Sequence, residues 1–398
     1  MLEGTTVGPR RRLPTRLGGV VGSLITVVAA FLLSGIAIGA LGKNPLTVYR
    51  AIFDGTGFNF LFHVGSHSIR LPFLTTHVWF PWDTASIAAQ NLQQTLLLTT
   101  PVVLTALAVA FAFRGGLFNI GGQGQYLVGA YFAVWIGSSL PHLSSPLHIA
   151  IAVGAATFAG AAYAGVAGLL KATVGAHEVI TTIMLNWVAV WVGSYLFSQG
   201  GPLQSSTQRS LPESNVVVAG ARLPVFWGPK LLQGLTIGVF FALVALVVFW
   251  IVINRTTLGY EVRAVGLNPE AARYGGIPVA RSMVLAMAIG GAFAGLAGAC
   301  DVLGWEFQIG QPDVQSSSIG FIGLAAALLG RNAALGIGAS SLLFGALING
   351  TSGRQLDPTV FRPDLASALT TIIQGLVVLF VGLNAAAAWK WLKRRRAS

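Results

Sequence analysis

The chain is short of charge, of acid in particular, and of cysteine. Only 9% of its 398 residues are Asp, Glu, Lys or Arg, and 12 acidic side chains stand against 24 basic ones. A water-soluble domain of this length needs far more polar surface, so that class is excluded. A single cysteine, Cys300, excludes an internal disulfide. No G-x-x-x-x-G-K-[ST] loop is present to cradle a phosphate, since Gly42-Lys43 is followed by Asn44. No H-E-x-x-H, G-x-S-x-G or cysteine pair occurs. The 6 histidines are scattered; His63 and His67 are four apart but lack a third ligand. Nothing points to catalysis, to a metal, or to a cofactor bound by this chain.

What is abundant is apolar length. Hydrophobic residues make up 54% of the chain and the mean hydropathy is +0.73. Apolar runs of spanning length occur at residues 17–41, 90–113, 116–140, 147–170, 179–198, 231–253, 282–304, 319–330, 333–349 and 365–389. The expected fold is all-α: a polytopic membrane protein of about ten transmembrane helices, with eight or nine left open because the eighth run is short. The first run, about 25 residues, is longer than the 7–15 of a signal-peptide core, so it reads as an uncleaved span. The 50 glycines fall mostly inside these runs, where small residues let helices approach closely.

Basic residues sit at the ends of the runs and form no aromatic-interleaved patch. The net charge of +12 therefore speaks for membrane lipid and topology, not for nucleic acid. With ten spans the termini share a side, and that side collects sixteen of the 24 Lys and Arg. The positive-inside rule then puts residues 1–16, the loop 255–281 and the tail 390–398 in the cytoplasm. Residues 42–84 and 199–230 become external loops, with interfacial aromatics such as Trp79, Trp82 and Trp227. No composition break divides the chain, so residues 1–398 read as a single transmembrane domain. A faint echo links LAVAFAFRGGLFNIG and LAAALLGRNAALGIG, with Arg114 and Arg331 at matching turns; repeat and chance resemblance are both open.

Four stretches carry polar information. RTTLGYEVRAVGLNPEAARYGGIPVAR (255–281) ends in a punctuated short helix. Asn268 is an N-cap, Pro269 suits the first position, Glu270 complements the dipole, and Gly275, Gly276 and Pro278 stop it. It serves either as a handle for a partner outside the membrane or as a helix that tidies a loop. In GGLFNIGGQGQYLVGA (115–130), glycines and the amides Asn119, Gln123 and Gln125 break an apolar run. Broken backbone at membrane depth lines a cavity or is satisfied by neighbouring helices. In HEVITTIMLNWVAVWVGSY (177–195), Asn186 lies mid-span, and Trp187 and Trp191 share a helical face. That face suits a ring to be stacked, or equally lipid or a neighbouring helix. AIGGAFAGLAGACDVLGWEFQIG carries G-x-x-x-G at Gly291 and Gly295 for close packing, then Asp301 just inside the span and Glu306 beyond it. Asp301 is either functional or a solvated helix-end residue.

Read together, FNIGGQGQYLVGA, HEVITTIMLNW and GYEVRAVGLNPEAARYGGI, followed by a glycine-rich span, resemble one family. It is the permease subunits of bacterial ABC importers of the branched-chain amino acid and simple-sugar type. Within that group the chain looks most like nucleoside-uptake permeases, and the similarity runs over about residues 96–382. The resemblance implies a type II ABC-importer-like permease in the bacterial inner membrane, paired with a second, homologous but different permease chain. It also implies a cytoplasmic ATPase that holds ATP and Mg, and an external substrate-binding lipoprotein. The cytoplasmic coupling helix would draw on Arg263, Asn268, Pro269, Glu270, Ala271, Ala272, Arg273 and Tyr274. The substrate pathway would be lined by Asn119, Gln123, Gln125, Asn186, Trp187, Trp191 and Asp301. The chain departs from the common FNIG-x-EGQ pattern by carrying Gln123 at the acidic position, so no role there can depend on a charge. Ribose-like sugars and branched-chain amino acids are the alternative substrates. An ion-gradient-driven secondary transporter is the alternative class, and the scarcity of in-span acids other than Asp301 weighs against it.

Overall fold

Backbone polar groups inside a bilayer must be satisfied within the protein, and a helix does this within one segment. The apolar runs that the described residues cover accordingly fold as helices. The computed structural model describes residues 15–40, 42–62, 64–70, 77–228, 234–352 and five helical positions between 371 and 379. Among the described residues, six helices are long and apolar enough to cross a membrane. They are α1 (Thr15–Ala40), α3 (Ile87–Arg114), α5 (Ser145–Val174), α6 (Glu178–Leu196), α7 (Gly238–Arg255) and α10 (Val279–Asp301), the last extended by a π-helical turn, Val302–Glu306. Shorter helices α4 (Gly122–Ser138), α12 (Ile319–Leu329) and α13 (Ala334–Gly350) fill three further expected positions. The expected tenth span, 365–389, and the tail 390–398 lie almost wholly outside the described residues, as does most of the N-terminal segment 1–16.

The two expected external loops are not plain loops. Residues 42–84 hold α2 (Pro45–Thr56), a 3-10 turn, and a hairpin of β1 (Val64–Arg70) and β2 (His77–Trp82). Asn44 caps α2 by accepting from Leu46 N at 3.0 Å. Residues 199–230 contain β3 (Val225–Trp227), which pairs with β4 (Leu235–Thr236).

Burial separates inner from outer helices. The spanning window of α3 is 83% buried and that of α10 is 61%, against 22–28% for α1, α5, α6 and α7. α10 lies against α5, α3 and α4. The expected close packing of its glycines is realised: a Cβ on Gly295 would lie 2.3 Å from the Ala156 carbonyl oxygen of α5. On the α4 side, a Cβ on Gly129 would lie 2.5 Å from Gly295 Cα.

Three contacts gather one end of the bundle. Ser23 Oγ of α1 donates to Leu329 O at 3.0 Å. Arg114 Nη2 donates to Asn332 O at 2.7 Å, so the two turns of the sequence echo touch. Gly266 rests on Gly116, where a Cβ on Gly116 would come within 2.9 Å of Gly266 Cα. At the other end Asn349 Nδ2 donates to Gly55 O (3.0 Å) and Asn91 O (2.8 Å), tying α13 to α2 and α3. The start of α1, the α3–α4 turn, the α12–α13 turn and the 255–281 loop therefore share a face.

That loop holds two helices where one was expected: α8 (Thr257–Leu267) and α9 (Pro269–Tyr274). Thr256 starts α8 by accepting from Gly259 N at 3.1 Å. The punctuation of α9 is as expected, with Asn268 Oδ1 accepting from Glu270 N (3.0 Å) and Ala271 N (3.1 Å), and Gly276 at φ +78° ending it. Replacing an N-cap costs about 1 kcal/mol. Asn268→Ala is therefore expected to speed amide exchange at Glu270 and Ala271 about fivefold in the detergent-solubilised protein. Unchanged exchange there would show that the cap does not hold the helix.

Candidate functional site

The broken stretch ahead of α4 is held by its own amides. Gly116, at φ +73°, turns the chain out of α3, and helix resumes only at Gly122. Asn119 and Gln125 form a reciprocal pair: Asn119 Nδ2 donates to Gln125 Oε1 (3.0 Å), and Gln125 Nε2 donates to Asn119 Oδ1 (2.9 Å). Asn119 Oδ1 also accepts from Gly121 N at 2.9 Å. Asn186 clamps the break from α6. Its Nδ2 donates to Ile120 O (3.0 Å) and its Oδ1 accepts from Gly124 N (2.7 Å).

Gln123 reaches the other way. Its Nε2 donates to Ser317 O at 3.0 Å, and its Oε1 accepts from Gly320 N at 2.8 Å, satisfying one of the open donors in the first turn of α12. An amide does both jobs, whereas an ionised carboxylate only accepts. That gives the departure from the acidic pattern a local reason. All four amide side chains are buried. Leaving a buried backbone group unpaired costs about 1–3 kcal/mol, and Gln123→Leu leaves both Ser317 O and Gly320 N without this partner. The variant is expected to lower the thermal midpoint of the solubilised permease by several degrees. An unchanged midpoint would mean the staple carries no load.

The other sequence-derived candidates separate. Trp187 and Trp191 are 57% and 65% exposed, on the outer side of α6, while Asn186 beside them faces inward. The structure brings Asn119, Gln123, Gln125 and Asn186 together and leaves the two tryptophans apart from them. Asp301 is buried at the end of α10 and is not a solvated helix end. Its Oδ2 accepts from the Tyr126 hydroxyl and its Oδ1 from Trp305 Nε1.

Tyr126 and Trp305 open onto a cavity of about 590 Å³. Its walls come from α3, α4, the π-helical turn, α11 (Gln311–Ser316), α12 and α13, with Glu306, Asp313 and the serines 316–318 supplying polar groups. Ligand sites commonly enclose roughly 300–1,000 Å³, so the space suits a small organic solute. Gln123 touches this wall from behind through Ser317. In the sequence Glu306 stands out only as lying beyond a span, and no residue pattern marks Tyr126, Trp305 or Asp313. The π-helical turn that brings Trp305 and Glu306 to the cavity leaves no signature in residue spacing.

At the gathered end, α9 stands clear of the bundle. Leu267 is 88% exposed and Tyr274 93%, while Ala272 is buried beneath. Val265, Ala272 and Val279 form the small core that fixes α8, α9 and the start of α10 to one another. Nearby, Lys171 and Glu178 pair at 2.8 Å across the α5–α6 turn.

The chain is similar to known proteins over most of its length. Residues 91–382 match the family described as branched-chain amino acid transport system / permease component. The chain is 34% identical to the guanosine ABC transporter permease protein NupP of Bacillus subtilis over 363 residues, 90% of this chain and 92% of that one. It is 33% identical to the nucleoside ABC transporter permease protein NupB of Lactococcus lactis, over 88% of each chain. It is also 31% identical to the glucose ABC transporter permease protein TsgB13 of Haloferax volcanii, over 94% of this chain and 89% of that one.

Proposed function

The chain belongs to the branched-chain amino acid transport system permease family, and from that premise we propose that it is the membrane-spanning subunit of an ABC importer of nucleosides. It is a multi-pass membrane transport subunit. The observation that carries the substrate reading is similarity along about nine-tenths of both chains to permeases named for guanosine and for nucleosides. Glucose is the second reading, favoured by TsgB13.

In this reading α9, with Arg263, Asn268, Pro269, Glu270, Ala271, Ala272, Arg273 and Tyr274, seats on a cytoplasmic ATPase that holds ATP and Mg. The face shared by the start of α1, the turns at Arg114 and Arg331, and α8 is the cytoplasmic one, and both termini lie there. A second, different permease chain completes the pathway, and an external lipoprotein delivers substrate. The amides Asn119, Gln123, Gln125 and Asn186 act on the pathway through the wall they hold, and Asp301 through Tyr126 and Trp305.

The deciding experiment reconstitutes the chain with its ATPase, partner permease and binding component in proteoliposomes, supplied in turn with tritiated adenosine, guanosine, uridine and glucose. ATP-dependent uptake of at least one nucleoside is expected. Uptake of glucose alone would replace the substrate, and ATP-independent accumulation driven by an ion gradient would replace the class.

A further inference from the structure

The two aromatic residues of the cavity wall share one anchor. The Tyr126 hydroxyl and the Trp305 ring N–H both donate to Asp301, one to each carboxylate oxygen. Asp301 is only 1% exposed, so this anchor lies behind the wall and not in the cavity. The polar handle of each ring is thereby taken up, and what remains for a solute is ring surface. Beside them Glu306 and Asp313 line the same space as hydrogen-bond acceptors, and Asp313 also accepts from Gly310 N at 2.8 Å. No Lys, Arg or His lines the cavity among the described residues. An anion there would meet the Asp313 carboxylate and, among the described residues, no counter-charge to offset its desolvation.

Resting on the nucleoside reading, we propose that this cavity takes a planar, uncharged, hydrogen-bond-donating ring system against Trp305, excludes the corresponding phosphorylated solute, and depends on Asp301 as a positioning residue. Aromatic rings stack offset with their polar edges free. A base lies on the Trp305 ring while its N–H groups or the sugar hydroxyls donate to Glu306. A nucleoside 5′-monophosphate carries its charge towards Asp313, with no cation among the described lining residues to receive it, and is rejected. Asp301 touches no solute; it fixes the plane of Trp305 and the place of Tyr126.

The test uses the reconstituted transporter. If the wild-type complex imports none of adenosine, guanosine and uridine, the nucleoside reading itself fails and the inference falls with it. For a nucleoside that is imported, Ser318→Cys provides a reporter at an exposed lining position; the chain's own Cys300 is buried. Alkylation of that thiol by fluorescein maleimide is expected to slow at least fivefold with saturating nucleoside. Its 5′-monophosphate and free ribose are expected to give no protection. Trp305→Leu should abolish protection and lower uptake at least tenfold while the ATPase still copurifies and hydrolyses ATP, and Trp305→Phe should keep both. Asp301→Ala should follow Trp305→Leu. Asp301→Asn should recover, because its amide oxygen still accepts from the indole and the tyrosine hydroxyl can turn to accept from its amide nitrogen. Protection by the monophosphate equal to that by the nucleoside overturns the charge exclusion. Absence of any nucleoside protection in Ser318→Cys overturns the site, whether or not the Trp305 and Asp301 variants assemble. Wild-type uptake in Trp305→Leu, or uptake in Trp305→Phe as low as in Trp305→Leu, overturns the ring surface as its basis.

Discussion

Gly295→Leu is expected to abolish the folded permease: no monodisperse protein in detergent and no uptake after reconstitution. At this point α10 is pressed between two neighbours. A Cβ on Gly295 would lie 2.3 Å from the Ala156 carbonyl oxygen and 3.1 Å from Gly160 Cα, both in α5. From the α5 side, a Cβ on Gly160 would lie 2.7 Å from Gly295 Cα. From the α4 side, a Cβ on Gly129 would lie 2.5 Å from the same atom. The neighbouring atoms are backbone, so no rotamer change relieves the clash. Inserting extra methylenes into a tight core already costs about 1–3 kcal/mol where side chains can give way. A whole isobutyl group wedged between main chains exceeds that, and helices in lipid have close contact as their chief attraction. The control is Gly154→Leu on α5, where a Cβ meets nothing within 4 Å; it is expected to express and transport as the parent does. A Gly295→Leu protein with the parent's thermal midpoint would mean that α4, α5 and α10 do not cross at this glycine.

Why some features could be read from residues and others could not follows from how local their causes are. The apolar runs that the described residues cover, the G-x-x-x-G of Gly291 and Gly295, and the Asn268–Pro269 start of α9 are set by segment-scale physics, and the structure places them as expected. α8 was not anticipated, because Thr256 at its N-cap and the polar run after it read equally well as loop. The hairpin inside residues 42–84 went unseen for a related reason: short strands in an aromatic, proline-containing stretch give no clean alternation. The break before α4 was legible from its glycines and amides, but the targets of those amides were not. Gln123 bonds to Ser317 O and Gly320 N, nearly two hundred residues away in the chain, and sequence spacing carries no information about such partners. The same holds for Asp301. Its depth marked it as a candidate, yet its role depends on Tyr126, brought from another helix, and on Trp305, reached through a π-helical turn. Trp187 and Trp191 do share a helical face, but periodicity cannot tell an inward face from an outward one, and theirs turns outward.

The second large effect is expected at Gly266, where α8 meets the α3–α4 turn. A Cβ there would lie 2.3 Å from Arg114 O and 2.8 Å from Gly116 N. Gly266→Leu therefore prevents the end of α8 from seating on the turn, while the rest of α8 and α9 stays anchored through Val265, Ala272 and Val279. The contact matters because of what continues from it. Gly116 begins the break, Asn186 holds the break at Ile120 O and Gly124 N, and Gln123 carries it to Gly320 and to Ser317 of the cavity wall. Contiguous packing of this kind is a candidate route for coupling, and coupling has to be measured as a free energy. A displacement of α9 by its ATPase reaches the cavity along this series only if α8 presses on Gly116. In proteoliposomes of the full transporter, Gly266→Leu is expected to leave ATPase association and ATP hydrolysis near the parent level while uptake per ATP falls about tenfold, equivalent to about 1.4 kcal/mol of lost coupling. A parallel fall in ATPase association would place the defect at the docking surface, and unchanged uptake per ATP would show that motion reaches the cavity by another route, with the α9–α10 connection next to be tested.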